Sequence, residues 1–498
     1  MREAERHVDD VFETYRQGVV GHDLMLSTPY GRHRMVYADW TASGRLYRPL
    51  EQRLLDTVGP WMANTHTETS ATGQAMTEAY GHARALIKRH VNAGPGDVLL
   101  STGTGSTGAV NKLQRMLGMR IPSNFIGHSS VPPHKRPVVL VTHMEHHSNH
   151  TSWLECKVDV EVIPPDANGL VDVAAIPGIL ARYSDRQSKI AAVTACSNVT
   201  GIRTPHHAIA AVMHAHGGLC FVDFACSAPY VAIDMHPEDP EQALDAIYFS
   251  PHKFLGGPGS SGILVFSSSL YSATIPDQPG GGTVAWTNPW SEHRYFEDIE
   301  IREDGGTPGI LQLIRAALAV RLKESMGLER IANSERQIVE MAMGLLGQSP
   351  RVVVLAAQHR DRLPVLSFYI EGLHYNLVVR LLNDRFGIQA RGGCSCAGTY
   401  GHYLLHVDPS RSRAITSSID AGDLSEKPGW VRASFHPITD MQEEEFVCRA
   451  ILDIAEQGDT WSKDYEAIAM SNDFRLAERR IADGPGMEYW FRGFNPHD

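Results

Sequence analysis

One lysine lies in a segment whose composition suits covalent chemistry. Lys253 follows Ser250 and His252 and precedes a glycine-rich exit, and the apolar runs 246–249 and 262–266 flank the segment. Because apolar neighbours remove water from an amine, we expect a lowered pKa for Lys253. A neutral amine is the form that makes a Schiff base with an aldehyde. The alternative interpretation is a surface lysine in a flexible glycine-rich loop.

A second segment has the composition of an anion site. Residues 101–108 read Ser-Thr-Gly-Thr-Gly-Ser-Thr-Gly, after an apolar run and before an amphipathic helical pattern. Backbone N–H groups at a helix start, together with the helix dipole, favour a phosphate group. Gly105 and Ser106 stand inside this segment. No Lys-Ser/Thr pair closes it, so it is not the P-loop of nucleotide-binding proteins.

Asp223 ends the apolar run 219–222. A carboxylate at the end of a buried strand is costly unless a cation faces it. A protonated pyridine nitrogen would be such a cation, and the pairing would keep that ring an electron sink. A structural salt bridge or a helix cap is the alternative.

Four histidines occur within residues 143–150. His143 and His147 have helical spacing, but the glutamate between them is not placed as in the His-Glu-x-x-His zinc motif. No cysteine or carboxylate pattern completes a ligand set at a familiar spacing. We therefore expect no metal here, and we expect one imidazole to lie flat on an aromatic cofactor.

The run 391–398, Arg-Gly-Gly-Cys-Ser-Cys-Ala-Gly, joins a carboxylate-binding group to two thiols. Arg391 could clamp a carboxylate with two parallel hydrogen bonds. Cys396 follows five residues later in a mobile loop. Cys394 and Cys396 could instead form a metal or redox element, although their spacing is one short of Cys-x-x-Cys and no second pair exists.

A scaffold must bring these segments together. From residue 96 to 266, apolar runs alternate with helix-length connections, which predicts an α/β fold with a mainly parallel sheet covered by helices. The runs are 98–100, 138–141, 160–163, 190–193, 219–222, 247–249 and 263–266. Polar residues follow most of them, and ligand sites in such sheets lie at the carboxyl ends of the strands. We therefore expect one shared site at that edge.

The chain is predicted to have four parts. These are an N-terminal helical segment (1–35), a large domain (36–315), a smaller α+β domain (316–458) and a C-terminal extension (459–498). Residues 119–136 and the insertion 406–428 are polar and predict irregular loops. The aromatic residues of the extension (Tyr489, Trp490, Phe491 and Phe494) predict that it docks on the rest of the protein.

Composition narrows the possible partners. The formal net charge of −12 and the lack of a basic stripe argue against nucleic acid. No apolar run is long enough to span a bilayer, and the first 18 residues lack the apolar region of a signal peptide. The odd count of seven scattered cysteines favours reduced thiols in the cytoplasm over a disulfide framework.

Taken together, the motifs resemble the class V aminotransferase-fold enzymes that use pyridoxal 5'-phosphate. The group II cysteine desulfurases and selenocysteine lyases are the most similar, over about residues 35–455. The resemblance implies PLP fold type I, with a seven-stranded sheet in the large domain. It also implies a small amino-acid substrate and a homodimer with shared active sites.

The resemblance further implies a role for each motif residue. Lys253 would carry the cofactor as a Schiff base, with His146 stacked on the ring, Asn198 near the phenol oxygen and Asp223 at the pyridine nitrogen. The phosphate would be held by Gly105, Ser106, Ser250, His252 and, from a neighbouring subunit, Thr283. Arg391 and Asn149 would bind the substrate, and Cys396 would accept its sulfur.

Some positions depart from the family pattern. Cys226 stands where glutamine is frequent, Gly105 where threonine is common, and Cys394 is an additional thiol. We expect conversion of L-cysteine to L-alanine, with sulfur passed to Cys396 as a persulfide and then to an acceptor protein. β-Elimination from a cysteine derivative, cleavage of selenocysteine, another reaction in specialised metabolism and a non-catalytic scaffold remain alternatives.

Overall fold

The computed structural model describes residues 12–65, 67, 69–124, 131–478 and 486–493. The strands are β1 (Met25–Thr28), β2 (Gly31–Arg34), β3 (Val36–Tyr37), β4 (Asp97–Thr102), β5 (Val138–Thr142), β6 (Asp159–Ile163), β7 (Lys189–Thr194), β8 (Leu219–Asp223), β9 (Ala246–Phe249), β10 (Gly262–Ser267), β11 (Val284–Thr287), β12 (His293–Tyr295), β13 (Val352–Val354), β14 (Val365–Ile370), β15 (Ile388–Gln389), β16 (Arg391–Gly393), β17 (Trp430–Ser434), β18 (Tyr465–Ala467) and β19 (Phe474–Leu476).

The helices cover the sheets and connect their strands. They are α1 (residues 12–17), α2 (Arg48–Arg53), α3 (Ala71–His90), α4 (Gly105–Met116), α5 (His147–Leu154), α6 (Ile176–Ala181), α7 (His206–Ala215), α8 (Ile299–Arg302), α9 (Ile310–Met326), α10 (Leu328–Leu346), α11 (Tyr375–Phe386), α12 (Gly398–Leu404), α13 (Pro409–Asp420), α14 (Met441–Trp461) and α15 (Met487–Trp490). Among the described residues, none of these helices has the length and apolar character needed to cross a membrane.

A seven-stranded sheet forms the centre of the larger lobe, in the order β4-β10-β9-β8-β7-β5-β6. β10 runs antiparallel to β4 and β9, and the remaining neighbours are parallel. Most of these strands are buried on both faces, as expected for a sheet covered by helices. The predicted mainly parallel sheet is confirmed, and each of the seven apolar runs is one of its strands.

The smaller lobe is built on a four-stranded antiparallel sheet in the order β13-β14-β17-β16. Helices α10, α11 and α14 contribute its apolar core together with the sheet. The predicted smaller α+β unit is therefore present. A short parallel pairing of β3 with β15 ties the beginning of the chain to this lobe.

Residue 315, the expected boundary between the two domains, lies inside a helix. Helix α9 continues to Met326, and its residues Leu313 and Val320 belong to the core of the larger lobe. The chain turns at Gly327, whose φ of +83° separates α9 from α10. Residue 315 therefore lies within one continuous helix, and Ile331 of α10 still belongs to the same core as α9.

Two peripheral segments also depart from expectation. Within the segment 1–35, which was expected to be helical, only residues 12–17 are helical in the described part, and β1 and β2 form an antiparallel hairpin. The insertion 406–428 contains helix α13, because Asp408 caps it by accepting from the backbone N–H of Ser410 and Arg411. Of the segment 119–136, residues 125–130 lie outside the described residues.

The C-terminal extension contacts the smaller lobe through its hairpin. β18 and β19 pair in antiparallel fashion, and Tyr465, Phe474 and Leu476 pack on the core of that lobe. Trp490 and Phe491, in contrast, are largely exposed. Docking is therefore made by residues 465–476 and not by these two aromatic residues, while Phe494 lies outside the described residues.

Candidate active site

Lys253 is held at the carboxyl end of β9 by a short turn. Residues Pro251–Lys253 form one 3₁₀ turn, in which the Lys253 N–H donates to the Ser250 carbonyl at 3.0 Å. A side chain at Gly257 would place its Cβ 1.8 Å from the Pro251 carbonyl oxygen, so the glycine-rich exit permits this close packing. Burial lowers the pKa of Lys253, against the opposing effects of Cys226 and Asp223. The expected lowering of the lysine pKa is thus present.

Asp223 lies at the end of β8 and is buried. The Ala225 N–H donates to its Oδ1 atom at 2.8 Å. Burial raises the pKa of Asp223 to about 6, partly offset by this hydrogen bond and by Lys253. A cation placed against this carboxylate would recover the cost of its burial.

Two buried thiols stand beside this carboxylate. The Sγ atoms of Cys196 and Cys226 both point to the Ser197 carbonyl oxygen, at 3.6 and 3.7 Å. Hydrogen bonding from Cys196 lowers the pKa of Cys226, as does the proximity of Lys253. A sulfur therefore faces Lys253 at the position where the family pattern has glutamine.

A cradle for an anion forms where α4 begins. The Ser106 N–H donates to Ser250 Oγ at 2.8 Å. Gly105 has a φ of +62°, and a Cβ there would lie 2.8 Å from Ser250 Oγ and 3.3 Å from His252 Cε1. Burial lowers the pKa of His252 to about 4, so its ring is neutral near pH 7. Four of the five residues expected to bind the phosphate are thus brought together.

His146 precedes α5 and caps it. Its Nδ1 atom accepts from the Ser148 N–H at 3.1 Å, which leaves the ring faces free. Burial, followed by Lys253, lowers the pKa of His146 to about 3. A neutral imidazole near the lysine suits stacking on a flat ring. Over the described ranges, no group of three or more His, Cys, Asp or Glu side chains is arranged to hold a metal ion.

Asn149 forms its hydrogen bonds within the larger lobe. It is fully buried, and its Nδ2 atom donates to Glu145 Oε2 at 2.8 Å and to the Ala192 carbonyl at 3.0 Å. Its Oδ1 atom accepts from Trp153 and from the Tyr248 hydroxyl. The expected substrate contact would require one of these hydrogen bonds to break, because they use every polar group of this side chain.

Thr283 forms its hydrogen bond within its own chain. It is fully buried, and its hydroxyl donates to the Gly280 carbonyl at 2.7 Å. The expected contact with the phosphate of a neighbouring subunit stays a prediction.

Arg432 is a site residue that sequence reasoning missed. It lies in β17 and is only 3% exposed, with one Nη atom donating to Asp39 Oδ1 at 2.8 Å and the other to the Asn198 carbonyl at 3.0 Å. Arg391 donates to the other oxygen of Asp39 at 3.1 Å. Both guanidinium groups act to lower the pKa of Lys253, which places them beside it. The overlooked signal is a charged residue within the apolar run Trp-Val-Arg-Ala-Ser.

The cysteine loop lies over the same region. Asn198 Nδ2 donates to the Ser395 carbonyl at 2.7 Å, and Cys396 is exposed. One N–H of Asn198, expected to face a cofactor oxygen, is therefore used by the loop. Cys394 is half-buried beneath it. Hydrogen bonds thus join the loop to Asn198 and Asn198 to Arg432.

Comparison with known proteins supports this architecture. A probable cysteine desulfurase of Halalkalibacterium halodurans is 27% identical over 367 residues, covering 73% of this chain and 84% of that protein. A cysteine desulfurase of Synechococcus elongatus is 29% identical over 342 residues, covering 67% of this chain and 50% of that protein.

Solved structures share the fold. The apo cysteine desulfurase of Thermococcus onnurineus superposes with a TM-score of 0.70 at 22% identity, covering 89% of this chain and 98% of that one. The cysteine desulfurase CsdA of Escherichia coli gives 0.66 at 21% identity, covering 84% and 94%. The family model described as Aminotransferase class-V matches residues 36–446, which include both lobes and every segment of the site. The chain belongs to the class-V aminotransferase family.

Proposed function

We propose that this protein is a pyridoxal-phosphate-dependent cysteine desulfurase, which converts L-cysteine to L-alanine and leaves the sulfur on Cys396. The observation that carries the proposal is the exposed Cys396 thiol, in a loop that Asn198 ties to the lysine site through a 2.7 Å hydrogen bond. Two sequence relatives that cover most of this chain carry the same activity in their names.

The residues present fit pyridoxal 5'-phosphate. The cradle at Gly105, which a Cβ would fill, suits a phosphate, and the buried Asp223 carboxylate suits a protonated ring nitrogen. Within the described part of the chain, Arg432 Nε and Ser395 Oγ are buried without a hydrogen-bond partner, and both could donate to an anion. When bound, the cofactor would supply the electron sink for negative charge at the substrate Cα.

Side chains of this protein would then bind the substrate, transfer its protons and accept its sulfur. Arg432 and Arg391 hold the substrate carboxylate, and the neutral Lys253 amine takes the Cα proton. The Cys396 thiolate attacks the substrate sulfur, the C–S bond breaks, and its electron pair stays with the carbon skeleton. Protonation of that carbon, Cβ, and return of a proton from Lys253 to Cα give alanine, and Cys396 keeps the sulfur as a persulfide. A thiol or a sulfur-acceptor protein would remove it.

Product analysis tests this function. The holoenzyme is incubated with L-cysteine, and alanine and pyruvate are both measured. Alanine formation that collapses in Cys396→Ala but persists in the matched variant Cys394→Ala supports desulfuration. Pyruvate formation that survives Cys396→Ala would show β-elimination instead and would refute the proposal.

The proposal includes a homodimer in the cytoplasm. An apolar cavity of about 430 Å³ opens between α3 and α9 on the larger lobe, and Trp61 on its rim is 48% exposed. Apolar patches of this kind mark association surfaces. All seven cysteines are free thiols, which suits a reducing compartment. Sedimentation at micromolar concentration should give a dimer, and a monomer with full activity would contradict this part.

A further inference from the structure

The loop that carries Cys396 has a strained backbone. Ser395 and Cys396 have φ values of +52° and +57°, in the left-handed region. Each such residue other than glycine costs about 1 kcal/mol or more and persists only where the surroundings fix it. The contacts that hold these two residues therefore determine where the thiol lies.

One histidine contacts the backbone at the thiol residue and two residues after it. The backbone N–H of His147 donates to the Cys396 carbonyl at 2.8 Å. The Nε2 atom of the same residue accepts from the backbone N–H of Gly398 at 3.0 Å. Gly398 is the first residue of α12, so the imidazole satisfies an N–H that the helix itself leaves without a partner.

His146, the residue before His147, is directed to the lysine side of the site. His146 lies beside Lys253, whose charge helps to lower its pKa, while His147 begins α5 and faces the loop. Adjacent positions at the end of β5 are thus directed to the lysine and to the acceptor thiol. A shift of one would move the other.

We propose that His147 is a positioning residue that clamps the Cys396 loop through the Gly398 N–H. This role deepens the proposed function, because sulfur transfer requires the thiol at a fixed distance from the substrate. The imidazole contributes as a hydrogen-bond acceptor and takes no part in the chemistry itself. His150 contacts the Thr399 hydroxyl one turn later, at 3.2 Å, and leaves the strained residues untouched.

Three variants of the full-length holoenzyme test the clamp. His147→Leu removes the acceptor, His147→Gln offers a carbonyl oxygen at a similar reach, and His150→Leu is the matched control on the same helix. Hydrogen–deuterium exchange is followed in the peptide 391–404, and alanine formation is measured for kcat and KM. The visible absorption band reports cofactor binding.

In His147→Leu we expect exchange at residues 394–400 to rise and kcat to fall, each by about tenfold or more, with KM and the visible band unchanged. His147→Gln should recover most of both, and His150→Leu should stay near the wild type. Unchanged exchange in His147→Leu, an equal effect of His150→Leu, or loss of the visible band in His147→Leu would overturn the clamp. If pyruvate replaces alanine, the proposed reaction fails, yet the exchange result still decides the role of His147.

Discussion

Arg432 and Asp39 form a buried ion pair, 2.8 Å between Nη2 and Oδ1, that joins β17 of the smaller lobe to the segment after β3. The second oxygen of Asp39 accepts from Arg391, whose side chain is 48% exposed. One carboxylate thus orients two guanidinium groups of very different burial beside Lys253. The buried member is held rigidly, and the exposed one is free to adapt to a ligand.

This arrangement predicts unequal effects of two conservative changes. Arg432→Lys cannot reproduce contacts to both Asp39 and the Asn198 carbonyl, because an ammonium is a point donor and not a planar fork. We expect KM for L-cysteine to rise about tenfold or more, corresponding to roughly 1.4 kcal/mol. Arg391→Lys, the exposed control, should change KM less. Steady-state kinetics on both holoenzymes measure the two KM values. An equal rise of KM in the two variants would contradict a special role for Arg432.

The ion pair of Arg432 with Asp39 is a part of the site that the sequence alone does not predict. Lys253, Asp223 and Ser250 could be found because each follows an apolar run, and parallel strands present their carboxyl ends at one edge. Arg432 comes from a strand of the other lobe, and its place depends on how the lobes pack. Asn149 has the expected helix but faces the sheet, a direction that the motif does not specify. Helix α13 was overlooked although Asp408-Pro409 is a strong start signal.

Because His436 is buried, we expect it to lower the free energy of unfolding at acid pH. It is 2% exposed, and burial lowers its pKa to about 3. The unfolded chain binds a proton at this residue below about pH 6.5 while the folded chain does not, so stability falls as pH drops towards 3. Between pH 6.5 and about 3, the free energy of unfolding falls by about 1.4 kcal/mol for each pH unit. Above pH 6.5 this residue adds nothing to the pH dependence of the unfolding free energy.

Replacing the ring tests this component. His436→Gln should flatten the dependence of unfolding free energy on pH between 6 and 4 by about one proton. Denaturant unfolding at several pH values measures the slope. The exposed His402→Gln serves as the control, and an identical slope in His436→Gln and the wild type would show that His436 does not titrate as its burial requires.

Cys226 is expected to adjust the protonation of Lys253. It raises the pKa of the lysine, and hydrogen bonding with Cys196 lowers the pKa of the Cys226 thiol itself. In Cys226→Ala the pH midpoint for Schiff-base formation between the apo-protein and pyridoxal 5'-phosphate, which requires the neutral Lys253 amine, should therefore shift downward, by about one unit or less. Cys220→Ala, which also removes a buried thiol from the same strand region, should leave the midpoint in place. A shift of equal size in both variants would point to packing and not to charge.

Gly105 and Gly103 provide a paired test of the anion cradle. Gly103 lies in the turn after β4 and Gly105 is the first residue of α4, but a Cβ at Gly105 would meet Ser250 Oγ at 2.8 Å, whereas one at Gly103 would meet nothing within 4 Å. Gly105 also has a φ of +62°, which an alanine adopts only with strain. Gly105→Ala should therefore displace the Ser250 hydroxyl from the Ser106 N–H and weaken pyridoxal-phosphate binding by about tenfold or more. Gly103→Ala should bind the cofactor as the wild type does. Titration of the apo-protein followed by visible absorption gives both affinities, and because the two substitutions are chemically identical and two residues apart, equal affinities would exclude Gly105 as the floor of the phosphate cradle.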